Sequence, residues 1–331
     1  MIIMARSVFV VLSFLLALVA VHGAILDDTK TDPRNRPTLD IIETADRLGG
    51  AYGFLTALDE TNLTDFVRNL RDVTVFIPSA DAFRAMPEGA RNYFRKHMDR
   101  YQELLKYHIV QGQFTADRLA DEVVYATAAS VHQVPFGARV NIYNHTAQAN
   151  ITTYQGAVVN SGRRDYLASN GIIHFLDEVV LHVAYQSTME LLNDTETSMM
   201  FDLIRKTPEA LYLLNSTARV HTLFAPDNEA FGKLSNVTRS RLNKETDFRK
   251  RVLLNHITEL GAYFSNGWVN GEKVPITNWT TYLTITKPKD RPIYINGNIE
   301  ILVPDNSTAN GVVHVIDTVI LPVTDEDIQE P

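Results

Sequence analysis

The spacing of apolar positions changes along this chain, and it changes in the same direction twice. Tyr101, Leu104, Leu105 and His108 fall at i, i+3, i+4 and i+7, which gathers them into one stripe of a helix. Phe201 and Ile204 open a similar stretch in the second half. Pro87 followed by Glu88 suits a helix start, where a missing N–H is tolerated and an acidic first turn is favourable. Later in each half the period falls to two. Ala138-Arg139-Val140-Asn141-Ile142-Tyr143 and Tyr282-Leu283-Thr284-Ile285-Thr286 read as strands with one apolar and one wet face. Ile293–Ile295 and Asn298–Ile301 flank Asn296-Gly297, a pair that accepts the positive φ of a tight hairpin turn. Val158–Val159 and Ile172–Leu181 add further strands. Helices early and strands late, in both halves, predict an α+β fold class.

The two halves are also alike residue by residue. Thr74-Val75-Phe76-Ile77-Pro78 through Ala82-Phe83 recurs as Thr222-Leu223-Phe224-Ala225-Pro226 through Ala230-Phe231, 148 positions on. Leu104-Leu105-Lys106-Tyr107-His108-Ile109 recurs at the same offset as Val252-Leu253-Leu254-Asn255-His256-Ile257. Asn170-Gly171-Ile172-Ile173-His174-Phe175-Leu176-Asp177 returns 140 positions on as Asn310-Gly311-Val312-Val313-His314-Val315-Ile316-Asp317. Blocks in one order at nearly one offset mark a duplicated domain, too long a period for a solenoid. The expected division is 37–184 and 185–323, with a polar leader at 24–36 and an acidic tail at 324–331. No Gly/Ser-rich or Pro-rich linker separates the halves, so they are expected to hold a fairly fixed relation.

The ends change the picture of where such a protein works. Val8 to Val21 is an apolar run broken only by Ser13, preceded by Arg6 and followed by Val21-His22-Gly23 before Ala24. Its 14 residues are too few to span a bilayer and fit a cleaved signal peptide over 1–23. No later run approaches the ~18 apolar residues of a transmembrane segment, and the acidic end lacks the hydrophobic tail of a lipid-anchor signal. Eight Asn-X-Ser/Thr sequons start at Asn62, Asn144, Asn150, Asn193, Asn215, Asn236, Asn278 and Asn306, none with proline at X. With 22 Asn and 43 Ser plus Thr in 331 residues, chance would give roughly three. The expectation is a secreted, extracellular N-glycoprotein. Its lack of cysteine excludes a disulfide framework and thiolate chemistry, and each half is long enough to hold a core by burial alone. Removing the signal segment takes Arg6 with it and leaves 30 basic against 39 acidic groups, which argues against nucleic acid as a partner.

Candidate chemistry is sparse. His174 with Asp177, and His314 with Asp317, have the composition of acid–base equipment. On a strand, however, i and i+3 point to opposite faces, and the branched aliphatic neighbours predict burial and a structural role. The ten histidines form no H-E-x-x-H, and the chain has no G-x-S-x-G, P-loop or G-x-G-x-x-G. No catalytic residue, metal ligand or cofactor is expected, so the protein reads as no enzyme. In the first repeated block, Phe76, Pro78, Phe83 and their counterparts Phe224, Pro226 and Phe231 read as a buried strand stopped by proline and a helix packed back on the core. Either Ser79 or Asp81 could cap that helix. The basic clusters Arg163-Arg164, Arg249-Lys250-Arg251 and Arg95-Lys96-His97 read as solvated faces, with glycosaminoglycan contact as the alternative.

Together these blocks resemble the fasciclin-domain family, whose members share a T-x-F-x-P-x-x-x-A-F box, a central Tyr-His box and an N-G-x-x-H-x-x-D box. The resemblance covers nearly the whole chain after the signal segment. It implies two tandem fasciclin-like domains, each a wedge-shaped β-sandwich with helices packed alongside, in a cell-adhesion or extracellular-matrix protein. It further implies an adhesion motif at Tyr107 and His108, where Asn255 replaces the tyrosine in the second half. A second implied contact, of the integrin-binding kind, corresponds to Asp165 and Tyr166, and to Asp305-Asn306 in the second half. Implied partners are a cell-surface receptor such as an integrin, a matrix component, or another copy of the chain. Two further readings stay open: a soluble carrier of a lipid or other small ligand held between sheet and helices, and a hydrolase built on His174 or His314.

Overall fold

Proline and alternating apolar residues explain why the first half is organised around one strand. The computed structural model describes residues 37–322 except 132–133, 146–149, 182–185, 194–195, 217–219, 278–280 and 290–291. The expected signal segment, the leader to residue 36, the acidic tail and Asn278 lie outside the described residues. The first half opens with helices α1 (Ile41–Leu48), α2 (Tyr52–Glu60) and α3 (Thr64–Asn69), followed by β1 (Val73–Pro78). Then come α4 (Ala80–Ala85), α5 (Glu88–Lys96) and α6 (Met98–Tyr107). Asp40 begins α1 with a reciprocal capping box to Glu43, and Ser79 rather than Asp81 caps α4 by accepting the Ala82 N–H. Strands β2 (Ile109–Gln111), β3 (Val123–Val131), β4 (Val134–Tyr143), β5 (Ile151–Tyr154), β6 (Ala157–Val158), β7 (Tyr166–Ala168) and β8 (Gly171–Leu176) complete the half.

These eight strands form one sheet in the order β6-β5-β4-β3-β2-β1-β8-β7. The sheet folds back on itself, because Val159 bridges Leu176 and the Asp177 N–H donates to Val158 O. β1 is therefore covered on both sides. Val73, Val75 and Ile77 face Phe54, Leu58, Leu104 and Leu105 of the helices. Phe76 points the other way, into a second core with Tyr107, Val140, Tyr154 and Leu176. Each of these large side chains contributes roughly 1.5–3 kcal/mol by leaving water. β1 and β8 are parallel neighbours, with Val73 opposite Gly171 and Pro78 opposite Leu176.

The second half repeats this. Its helices are α7 (Thr188–Asn193), α8 (Ser198–Arg205), α9 (Pro208–Asn215), α10 (Asn228–Gly232), α11 (Asn236–Lys244) and α12 (Thr246–Leu254), with β9 (His221–Pro226) after α9. Strands β10 (Ile257–Thr258), β11 (Lys273–Pro275), β12 (Tyr282–Thr286), β13 (Tyr294–Ile295), β14 (Ile299–Thr308) and β15 (Gly311–Ile316) follow. The order is β10-β9-β15-β14-β13-β12-β11, with β9 parallel to β15 in the register of β1 and β8. Asn296 and Gly297 take φ of 52° and 82° between β13 and β14, as the expected hairpin requires. The expected strand Ile172–Leu181 is shorter than its apolar run: β8 ends at Leu176, where Asp177 turns to close the sheet.

One expectation is corrected. The polar face of β4 is not wet: Arg139, Asn141 and Tyr143 are all buried. The second half covers them. Asn141 Nδ2 donates to Ala262 O (3.1 Å), the Phe264 N–H donates to the Tyr143 hydroxyl (2.7 Å), and Asn266 Nδ2 donates to Gly156 O (3.1 Å). The two halves accordingly fall within one compact unit. Alternation locates the two faces of β4, but it does not say whether water or a second domain meets the polar one.

Candidate adhesion surface and the repeated boxes

The third repeated block is built around an asparagine that ties helices to the sheet. Asn170 Oδ1 accepts the Ile41 N–H (2.8 Å) at the start of α1, and its Nδ2 donates to Val67 O (3.1 Å) in α3. Asn310 does the same, accepting the Thr188 N–H (3.0 Å) and donating to Leu214 O (2.9 Å) and Ser216 O (3.1 Å). Glycine follows in both halves because a methyl at Gly171 or Gly311 would run into the backbone carbonyl of Val73 or His221 on the neighbouring strand. Thr74 and Thr222 complete the match: each hydroxyl donates to a glycine carbonyl, Gly112 or Gly261, and accepts one backbone N–H.

His174 and His314 are fully buried and stack on Phe76 and Phe224, with centroids 5.3 Å apart in each half. Their Nε2 atoms lie 2.8 Å from Phe114 O and 2.9 Å from Tyr263 O, and their Nδ1 atoms accept the N–H of Asp165 (3.3 Å) and Asp305 (3.2 Å). Accepting at Nδ1 places the proton on Nε2. Burial lowers the pKa of both below the ordinary imidazole value. Both nitrogens of each ring are therefore committed, and neither is free to act as a base. Asp177 accepts from Asn160 Nδ2 (3.0 Å) and Asp317 from the Glu300 N–H (3.0 Å), so His174 does not pair with Asp177 nor His314 with Asp317; the carboxylates nearest the rings are those of Asp165 (4.0 Å) and Asp305 (3.8 Å). Among the described residues, no group of three or more His, Asp or Glu is placed to hold a metal.

Tyr107 and His108 are both completely buried. The Tyr107 hydroxyl donates to Gly137 O (2.8 Å), and its own carbonyl accepts from Tyr154. His108 Nδ1 lies 2.9 Å from Leu104 O, while Nε2 accepts the Val180 N–H at 3.2 Å. His256 repeats this with Val252 O and the Ile320 N–H. A molecule at the surface of this fold touches neither Tyr107 nor His108. Asp165 and Tyr166 sit differently. Asp165 has φ of 64°, as its counterpart Asp305 has 63°, and its carboxylate accepts the Ala116 N–H at 2.6 Å. Tyr166 opens β7, half-buried with its ring edge-on to Phe175, and the next residue, Leu167, is 56% exposed. β7 lies at one end of the strand order. The structure thus separates the implied adhesion residues into a core pair and a surface pair.

The Fasciclin domain family matches residues 50–182 and again 195–322. The chain belongs to the fasciclin-domain family. The transforming growth factor-beta-induced protein ig-h3 of Sus scrofa is 28% identical over 256 residues, which is 75% of this chain and 34% of that protein. Periostin of Homo sapiens is 24% identical over 221 residues, 67% of this chain and 24% of its own. The chain thus spans between about a quarter and a third of the length of these relatives. A solved FAS1 domain pair from the insect cell adhesion molecule fasciclin I aligns with 85% of this chain and 99% of its own, at 20% identity and a TM-score of 0.40.

On this fasciclin pair, the sequon asparagines Asn62, Asn144, Asn150, Asn193, Asn215 and Asn236 are all exposed. Asn306 differs. It is half-buried on β14, and its Nδ2, the atom a glycan would join, donates to Val313 O at 3.2 Å. The basic clusters also divide. Arg95, Lys96 and His97 are exposed as expected. Arg249 is not: it is buried and donates to Thr207 Oγ1 (3.1 Å) and to the carbonyls of Leu242 (3.0 Å) and Asn243 (3.2 Å) at the end of α11, where a cation suits the helix dipole. Arg163 lies 3.8 Å above the Phe175 ring. Nothing in their sequence spacing distinguishes these two from the solvated set. An open hollow of about 470 Å³ lies on the outer side of α9, lined by Pro208, Leu211, Tyr212, Asn215 and Ser216.

Proposed function

We propose that this chain is a secreted, N-glycosylated adhesion or matrix protein that works by surface recognition and catalyses no reaction. Membership of the fasciclin family supports the adhesion reading. Six exposed sequon asparagines and a count of eight where chance gives about three support passage through the secretory pathway. The contact patch is Asp165 with Tyr166 and Leu167 of β7 in the first domain, while Tyr107 and His108 lie in the core and take no part in it. The observation that carries this choice is the exposed apolar Leu167 beside Tyr166 at the end of the sheet order. The corresponding stretch of the second domain, Asp305-Asn306, is half-buried, and Ser307 stands where the first domain has the exposed Leu167. Partners are a receptor of the integrin class, a matrix component or a second copy of the chain.

The test is cell attachment to immobilised full-length protein, together with pull-down from cell-surface extracts. Tyr166→Ala combined with Leu167→Asp is expected to lower attachment by about tenfold, since anchors of this kind dominate interface energy. Tyr107→Phe, which removes only the buried hydroxyl, should leave attachment near the wild-type level. Wild-type protein that holds no cells and captures neither matrix nor itself at micromolar concentration would overturn the adhesion reading. Attachment that survives the double variant would move the contact patch elsewhere.

A further inference from the structure

The contact between the two domains is richer in carboxylates than in cations. Glu122, the turn residue just before β3, stands at its centre. Its Oε1 accepts from Asn141 Nδ2 (2.7 Å) in its own domain and from the Ala262 N–H (3.0 Å) of the second domain. Its Oε2 lies 3.1 Å from Arg139 Nη1. One carboxylate thus bonds to both domains. Glycine at 261 is what lets the second domain approach, because a methyl there would strike the Glu122 carboxylate. Around this point lies a crevice of about 180 Å³ whose walls come from both domains.

Two further acidic groups share this crevice with Glu122. Asp121 precedes it and accepts the Ile142 N–H (2.7 Å), and Glu272 of the second domain lines the same crevice. The phenols of Tyr143 on β4 and Tyr263 after β10 border it, with His145 at the rim. Nearby, Asn266 Nδ2 reaches Glu178 Oε2 at 3.2 Å, and Ser265 of the second domain donates its N–H to Asp305 (2.7 Å). The opposing cations are Arg139 on β4 and Lys287, whose Nζ is held by Ser265 O (2.8 Å) and Trp268 O (3.2 Å). His221 on β9 feels the Arg139 charge as well, after the larger effect of its own burial. Docking therefore carries a carboxylate into a partly dry space that already holds others, and a proton relieves that cost.

We propose that docking of the two fasciclin domains is coupled to proton uptake at Glu122, so that mild acid tightens the pair and rising pH loosens it. Burial pushes the Glu122 carboxyl up to about 7, against the pull of Arg139 and the Ala262 N–H. A separated pair would return Glu122 to water and to the ordinary carboxylate range. The docked state thus binds the proton more tightly, and by linkage its advantage is full at low pH and fades as pH rises through neutrality.

The lack of cysteine makes the test clean. Two labels are placed on the full chain by Asp99→Cys in the first domain and Asn298→Cys in the second, both exposed positions. Inter-label distance distributions are then recorded at pH 5.5 and pH 8.5. The expected result is a narrow distribution at pH 5.5 and a broader one at pH 8.5, with the separated population rising roughly tenfold and a single transition near neutrality. Glu122→Gln, uncharged but of the same shape, should give the narrow distribution at both values. An unchanged wild-type distribution between the two pH values overturns the proposal without need of the variant. A transition that persists in Glu122→Gln, or one that runs in the opposite sense, overturns it as well.

Discussion

At the scale of single residues, the repeated letters are those whose backbone partners repeat. Asn170 holds α1 from a sequence distance of 129 and α3 from 103, and Asn310 copies the arrangement. Replacing Asn170 by Ala leaves the Ile41 N–H and the Val67 carbonyl without that partner inside the protein, which should cost about 2–4 kcal/mol. Urea unfolding of the full chain measures it, and a loss under about 1 kcal/mol would show that the tie is dispensable. Gly171→Ala should be at least as severe, because the clash is with backbone that has no rotamer to yield. That these residues matter was legible from their recurrence. What they bind was not, since no local spacing announces a partner more than 100 positions away. Tyr107 and His108 show the converse: the motif was legible, but its burial depends on the Gly137 and Val180 segments that close over it.

At the scale of elements, period-two alternation located β4, β12 and the β13–β14 hairpin, because a strand shows its two faces in its own sequence. It could not tell that the polar face of β4 meets another domain, so Glu122, Arg139, Asn141 and Tyr143 were missed as a group. The available signal was the bulk of that face, Arg, Asn and Tyr at successive outward positions, where a solvated strand would tolerate anything polar. β14 carries a similar lesson for glycosylation. Its sequon is as good as the others by sequence, yet the Asn306 amide is tied to Val313 across the ladder. Peptide mass spectrometry after enzymatic deglycosylation in heavy-oxygen water should find Asn306 the least occupied of the seven described sequons. Full occupancy there would mean that β14 yields its side-chain bond at little cost. On β7, Leu167→Asp should change stability by no more than about 0.5 kcal/mol, since the side chain already stands in water.

At the scale of the whole molecule, buried neutral histidines make the pair acid-sensitive in a direction that can be worked out. Burial lowers His108, His221 and His256 to about 4, and it lowers His174 and His314 too. The unfolded chain holds these rings near the ordinary value of about 6.5. Between the two values the unfolded state binds more protons, so stability is complete above pH ~6.5 and is lost as pH falls toward 4. A shift from 6.5 to about 4 is worth on the order of 3 kcal/mol per ring at full protonation of the unfolded state. Glu122 acts oppositely. Its raised pKa contributes stability that is full below the unfolded value near 4.5 and is lost as pH rises through about 7. Three rings outweigh one carboxyl on the acid side, so the chain should lose several kcal/mol between pH 7 and pH 5. His108 lies in the first domain and His221 and His256 in the second, so both domains weaken together. Urea unfolding at pH 7.5, 6 and 5 reads the slope, and imidazole carbon resonances read the cause, since the rings of His108, His221 and His256 should not titrate above about pH 5. Stability that holds level from pH 7.5 to 5, or buried rings that titrate near 6.5, would remove the argument. Over the same interval the docked fraction should rise while each domain weakens. Domain association and domain stability therefore respond to acid with opposite signs, and the strongest pairing of intact domains falls in the window just below neutrality.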